Sequence, residues 1–253
     1  MKSEKETSQV TSQLKSRILT NKKFGSLDLD EWLFEKLDIK KGYSVLDVGC
    51  GTGSLIIKLS ELLPQGNYFG IDISKNSIEE AKKKALDKHL KINFICRDAS
   101  DAASLQNNLF DLIMSIYALY YVKNPEELLS LLKTKLKKNG KISVMAPYKG
   151  NNLEWYSFLN KFMEMPPEIG FIADNFMDNI VIPFAEHNFK NMASFQFQNK
   201  VIIPSHKDLE LYWKSNSYHK EEFDEEFEQY SADFFDKNEN FQITKKALLV
   251  IMD

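Results

Sequence analysis

Arginine is nearly missing from this chain: of 33 basic residues only Arg17 and Arg97 are arginine, and the rest are lysine. Proteins that read phosphates and base edges lean on the bidentate guanidinium. The net charge of −3 offers a polyanion no overall attraction, so no nucleic-acid partner is expected. Cysteine is equally scarce. Cys50 and Cys96 lack metal-site spacing and are too few for a disulfide framework; a reducing cytoplasm is the expected setting. No metal site is expected either. No run reaches the ~18 apolar residues of a membrane-spanning helix, and residues 1–20 lack the apolar core of a secretory leader. No membrane partner is expected. Glycine is sparse as well, ten in 253 residues, yet three of the ten stand at 49, 51 and 53.

What is present from residue 43 to 149 is alternation of strand and helix with short connections. Strands are predicted at 43–48, 67–72, 92–97, 111–116 and 141–146. Helices are predicted at 54–63, stopped by Pro64, and from a Ser74 cap to about His89. A third helix starts at Asn124-Pro-Glu-Glu127, read as an asparagine cap with a capping box, and stops at Asn139-Gly140 in left-handed conformation. Such alternation predicts parallel pairing with right-handed crossovers.

Residues 148–241 hold 20 of the 31 aromatics. A helix is expected near 153–163, irregular chain through Pro166, Pro167 and Pro183, a strand at 194–203, helices near 208–213 and 221–235, and a terminal strand at 247–252. Residues 13–34 are expected to form a helix anchored by Phe24 and Trp32. The predicted organisation is an N-terminal helical cover (1–42), a ligand-binding core (43–149), and a region (150–253) supplying an aromatic-rich cover and the last strands.

Ligands of open α/β sheets bind beyond the carboxyl ends of the strands, which is where Gly49, Gly51 and Gly53 fall. The G-x-G-x-x-G fingerprint of nicotinamide and flavin sites needs glycine at 54, where this chain has Ser54. Asp47 is the discriminating residue, because a carboxylate here repels a pyrophosphate and attracts a cation. S-adenosylmethionine (SAM) carries a sulfonium and an ammonium and no phosphate. Asp72 ends the second strand, where a carboxylate can accept both ribose hydroxyls. Asp98 ends the third, where an acceptor can take the adenine amino hydrogens.

Leu46-Asp-Val-Gly-Cys-Gly-Thr-Gly53, Gly70-Ile-Asp72, Asp98-Ala99 and Phe110-Asp-Leu-Ile-Met-Ser115 resemble the successive motifs of class I SAM-dependent methyltransferases. The helix and strand around Asn139-Gly140 look like those of the subgroup acting mainly on small molecules. The resemblance covers about residues 40–149. It implies an α/β doubly wound, mostly parallel seven-stranded sheet. It also implies that Asp72 binds ribose, that Asp98 and Ala99 meet the adenine, and that the Gly49–Gly53 backbone lies against the methionine part. The cofactor-binding candidates are thus Asp47, Gly49, Cys50, Gly51, Gly53, Asp72, Ile73, Asp98, Ala99 and Ser115. Lys-Asn-Gly stands where relatives carry a proline-glycine pair, and Tyr120 where many carry histidine.

Ser115-Ile-Tyr-Ala118 lacks the Asn/Asp-Pro-Pro-aromatic run of amino-methylating nucleic-acid enzymes and the acid of metal-dependent catechol-type relatives. The expected activity is methyl transfer from SAM to an oxygen or nitrogen of a small metabolite. Rival readings are a non-catalytic SAM-binding partner protein and an aminopropyltransferase-like enzyme. Tyr120, Tyr121, Tyr148, Trp155 and Trp213 are candidates for substrate contact, with core packing the competing reading for each. Tyr117, His206 and His219 are the candidates for a catalytic role, the histidines as a base, against a surface or packing role for each.

Overall fold

The computed structural model describes residues 16–107, 109–165 and 172–253. Strand β1 (Ser44–Val48) is buried at all five positions, as a central strand covered on both faces requires. It pairs in parallel with β2 (Asn67–Asp72) and β4 (Phe110–Ile116). Asp47 stands opposite Gly70 on one side and Met114 on the other. β3 (Ile92–Cys96) extends the sheet beyond β2, and β5 (Leu136–Pro147) lies beside β4, both in parallel. β6 (Met192–Ile203) and β7 (Phe241–Met252) complete the seven-stranded order β3-β2-β1-β4-β5-β7-β6, with β7 antiparallel to β5. The doubly wound, mostly parallel sheet expected from the alternation is the sheet observed.

The described residues divide into two compact units. The sheet unit holds residues 30–107, 109–148, 172–196 and 247–253, and the aromatic unit holds 16–29, 149–165 and 197–246.

In the sheet unit, Leu46, Val48, Phe110, Ile113, Val144 and Val250 form one apolar core with Leu128, Leu129 and Leu132 of the helix Pro125–Lys135. Each fully buried side chain of this size contributes about 1.5–3 kcal/mol. Lys135 is buried as well, and its ammonium is fully engaged. Nζ donates to Ala103 O at 3.1 Å, Leu105 O at 2.7 Å and Asn107 Oδ1 at 2.7 Å. Ser74 caps the helix Lys75–Asp87, its hydroxyl accepting from Ser77 N at 3.3 Å.

Three local expectations are corrected. The helix after Asn124 ends at Lys135, and Asn139-Gly140 lie within β5, with Gly140 outside the left-handed region. Gly140 is required by proximity, since a Cβ there would stand 2.7 Å from Phe110 O. The Asn124 side chain caps no backbone group and instead donates to Glu127 Oε2 at 3.0 Å. Pro183 lies in regular structure: a wide, π-type helix (Ile172–Val181) runs into the helix Ile182–Asn188, with proline in the first turn. The ring-fixed φ of proline, about −65°, matches the helical backbone there. Pro166 and Pro167 lie outside the described residues.

The aromatic unit is built around Trp155. Its ring meets Tyr212 edge-on at 5.0 Å and Phe241 at 6.1 Å, while Trp213 stacks on Phe227 at 5.3 Å. Phe227 is buried, Phe223 and Phe234 pack around it, and Tyr230 lies at the surface stacked on Phe162. The N-terminal helix expected over 13–34 is two helices, 16–24 (in its described part) and Leu29–Leu37. Phe24 packs into the aromatic core. The break belongs to Gly25, which bridges Val201, and to Asn199, whose Oδ1 accepts from Ser26 N at 2.8 Å and Leu27 N at 3.1 Å.

Candidate active site

The loop after β1 turns on three glycines in left-handed conformation: Gly49 (φ +78°), Gly51 (φ +53°) and Gly53 (φ +72°). Each setting strains any residue with a Cβ. Their surroundings differ. A Cβ on Gly49 would lie 2.2 Å from the Cβ of Ala118, and one on Gly53 3.0 Å from Ala81 and the Phe94 ring. A Cβ on Gly51 would meet nothing within 4 Å. Gly49 and Gly53 are therefore glycines of packing, and Gly51 borders open space.

Around this loop the strand ends gather the acids. Asp47 is buried, without a hydrogen-bond partner among the described residues. Burial and then the nearby Asp72 push its carboxyl up to about 7. Asp72 accepts from Gly51 N and from Ser74 N, each at 2.8 Å, and so ties the glycine loop to the end of β2. Asp98 is exposed at the end of β3, where it accepts from Ser100 Oγ at 2.6 Å and Ser100 N at 2.9 Å. These bonds hold its carboxyl below the usual carboxylate range, and they cap the short helical turn Ala99–Ser104. Ile73 is exposed directly after Asp72.

Cys50 lies inside the loop, its thiol pushed up by burial and then by Asp47 and Asp72. A Cβ on Gly70 would come within 2.8 Å of its sulfur. Ser115 is buried and donates to Val48 O at 3.0 Å, bracing β4 against β1. The sequence reading missed Ala118, on which Gly49 rests, and Ser74 N, the second donor to Asp72. A small residue two positions past the last residue of β4 was the available signal for the first.

Tyr117 holds φ +56° just after β4, its amide donating to Met145 O at 2.8 Å and its phenol pushed up by burial. Tyr120 meets Phe176 edge-on at 5.9 Å and borders a cavity of about 240 Å³, lined also by Val122, Ile172, Phe176 and Ile180. Tyr121 is exposed beside it. Tyr148 at the end of β5 donates to Asp178 Oδ1 at 3.0 Å. Trp155 and Trp213 lie wholly buried in the aromatic core, and Trp213 Nε1 donates to Asp224 Oδ1 at 2.7 Å. For both, packing is the placement found. His219 Nε2 lies 2.9 Å from the same Asp224 oxygen, and His206 Nε2 lies 3.2 Å from Glu228 Oε2. Both histidines thus face acids of their own unit. Among the described residues no three metal-ligating side chains form a group able to hold an ion, and no helix is long and apolar enough to cross a membrane.

Residues 39–195 match the family profile described as Methyltransferase domain. The chain belongs to the class I SAM-dependent methyltransferases. Among its curated relatives, the demethylmenaquinone methyltransferase of Lactobacillus johnsonii is 28% identical over 150 residues, 56% of this chain and 61% of that protein. The release factor glutamine methyltransferase of Flavobacterium psychrophilum is 31% identical over 115 residues, 44% of this chain and 37% of that protein. The chain thus spans less than two thirds of the length of these relatives. In fold it is similar to the YcgJ protein of Bacillus subtilis, with a TM-score of 0.59, 16% identity, and coverage of 88% of this chain and 96% of that one. SAM is the cofactor of this methyltransferase-family chain, and the donor set fits it. Gly51 leaves room at the loop, the buried Asp47 lacks a partner, and Asp72 and Asp98 stand as acceptors at successive strand ends.

Proposed function

We propose that this methyltransferase-family chain transfers a methyl group from SAM to an oxygen or nitrogen of a small organic acceptor. The observation that carries the reading is Asp47, a buried carboxylate with no partner among the described residues, set beneath a loop with open space at Gly51. A site of that kind favours a cation and disfavours a pyrophosphate.

In this reading Asp72 orients the ribose through its remaining lone pairs, Asp98 and the Ala99 backbone receive the adenine, and Ile73 covers its face. The backbone of residues 49–53 lines the methionine part, and Asp47 attracts its positive charge. SAM supplies an electrophilic methyl carbon on a sulfonium whose departure leaves a neutral thioether. The residues around it therefore align the acceptor, and positioning alone is worth about 7–11 kcal/mol.

Two observations support a small acceptor. The cavity beside Tyr120 has a volume of about 240 Å³ and mostly apolar walls, and the Lactobacillus relative is named for a quinone, demethylmenaquinone, and not for a macromolecule. Tyr120 and Tyr121 then form the acceptor side, and Tyr117, whose phenol keeps its proton, serves as a hydrogen-bond donor in place of a base.

Thermal melting with SAM, S-adenosylhomocysteine, decarboxylated SAM and NAD tests the cofactor. At 100 times its Kd a ligand adds about 2.7 kcal/mol, which moves the midpoint of a chain this size by roughly 5–10 °C. Incubation with methyl-labelled SAM and a fractionated metabolite extract then tests the acceptor. Label in the low-mass fraction supports the reading. Label found only in protein, a larger shift with decarboxylated SAM, or binding without turnover overturns it.

A further inference from the structure

The cavity beside Tyr120 has walls from two parts of the sheet unit. One wall is the chain between the turn Leu119–Tyr121 and the helix Pro125–Lys135, which brings Tyr120, Val122 and Lys123. The other is the wide helix Ile172–Val181, which brings Asn175, Phe176 and Asn179. Widened turns of this kind are uncommon and gather at functional sites.

The polar groups of the lining are few, and their one formal charge is positive. Lys123 is the one charged side chain among the described residues that line the cavity. It is exposed and has no ion-pair partner among the described residues. Asn179 Nδ2 donates to Asn175 Oδ1 at 3.2 Å. That bond orders the amide pair and uses one of the two N–H donors of Asn179. The acids of the same helix are placed elsewhere. Neither Asp174 nor Asp178 lines the cavity, and Asp178 accepts from the Tyr148 hydroxyl at 3.0 Å. An ammonium beside amide donors is complementary to an oxyanion. Tyr120 and Phe176, edge-on at 5.9 Å, with Ile172 and Ile180 beside them, suit an apolar body. Apolar walls with a few placed polar groups are the usual form of a small-molecule site.

We propose, on the reading that this cavity receives the methyl acceptor, that the acceptor is a small organic carboxylate with an apolar body, selected by Lys123 and Asn179. One ammonium matches one negative charge, so a carboxylate suits the lining better than a phosphate. Lys123 is a compact point charge on a flexible stem and fixes no orientation by itself. It draws the anion in, and the second N–H of Asn179 gives the bound carboxylate its direction.

The test uses the full chain, methyl-labelled SAM and a metabolite extract divided on an anion-exchange resin. Labelled low-mass product is expected from the retained pool, and treating that pool with phosphatase beforehand should not reduce it. With the same pool as acceptor, Lys123→Gln should raise the apparent KM about tenfold or more, and Lys123→Arg should restore most of the loss. The kcat and the Kd for S-adenosylhomocysteine should change little, the pattern of lost acceptor binding. Added salt should raise the KM of the wild type and leave that of Lys123→Gln nearly constant, because an exposed ion pair is screened. A merely structural role for Lys123 would not produce that difference. Asn179→Leu should raise the KM while keeping the salt dependence. Label arising equally well, or only, from the unretained pool overturns the carboxylate while the cavity keeps its role. So does a phosphatase-sensitive acceptor, or an unchanged KM in Lys123→Gln. Absence of any labelled low-mass product removes the acceptor role of the cavity, and the proposal with it.

Discussion

Gly51 N and Ser74 N converge on the two oxygens of the Asp72 carboxylate, each at 2.8 Å, so one side chain fixes both the glycine loop and the start of the next helix. The same carboxylate is the proposed ribose acceptor. Asp72→Ala is therefore expected to lose the loop geometry and the ribose contact together. A hydrogen bond to a charged group is worth about 1.5–3 kcal/mol, so SAM affinity should fall by roughly tenfold to a hundredfold or more. Isothermal titration checks it, and an unchanged Kd would remove Asp72 from the site.

The glycines separate packing from binding. Gly49→Ala places a methyl 2.2 Å from Ala118 at φ +78°. It should lower the melting temperature sharply, as overpacking costs about 1–3 kcal/mol and left-handed strain adds about 1–2 kcal/mol. Gly51→Ala meets nothing within 4 Å. It should keep most of the stability and lose SAM affinity by about tenfold or more. Equal losses of both properties in the two variants would show the loop to be only a turn.

Asp47 makes stability fall as pH rises. The native carboxyl binds its proton up to about 7, whereas an ordinary aspartate releases it near 3.8. Between those values the folded state holds a proton that the unfolded chain has released, so the native state loses up to about 1.4 kcal/mol per pH unit. Asp47→Asn should match the wild type near pH 4 and exceed it at pH 8, by roughly 4 kcal/mol at most. Its SAM affinity should be lower and no longer rise between pH 5.5 and 8. Melting curves and titrations across that range read both effects; parallel pH profiles for the two proteins would contradict the burial assigned to Asp47.

The cavity beside Tyr120 predicts a split between the two ligands. Val122→Trp fills space that the wild type leaves open. It should raise the KM for the acceptor about tenfold or more while leaving the Kd for SAM unchanged. A matching loss of SAM affinity would place the cofactor in that cavity instead.

The parts legible in the sequence were those governed by neighbours along the chain. Asn67–Asp72 was readable as a strand, Ser74 as a cap and the three glycines as a turn, because period and local chemistry set them. What was not legible depended on residues far away. Asn139-Gly140 has the form of a helix stop, yet Gly140 is there because Phe110 O approaches it. The break at Gly25 is made by Asn199, and the engagement of Asn124 with Glu127 replaces the capping box the spacing suggested. In the site, the acids at the strand ends could be read, but the support of Gly49 by Ala118 could not. Trp155 and Trp213 illustrate the ambiguity of aromatic clusters, since the same residues that would line a cover also build a core.

Tyr117 keeps a bulky ring at φ +56°, a backbone setting that glycine or asparagine would occupy with less strain. Two selective pressures on this position can therefore be told apart. A library screened for heat resistance alone should drift there towards glycine or asparagine. A library screened for turnover should return to tyrosine if the ring serves the reaction. The position thus records, in one residue, whether the chain is being chosen for endurance or for work.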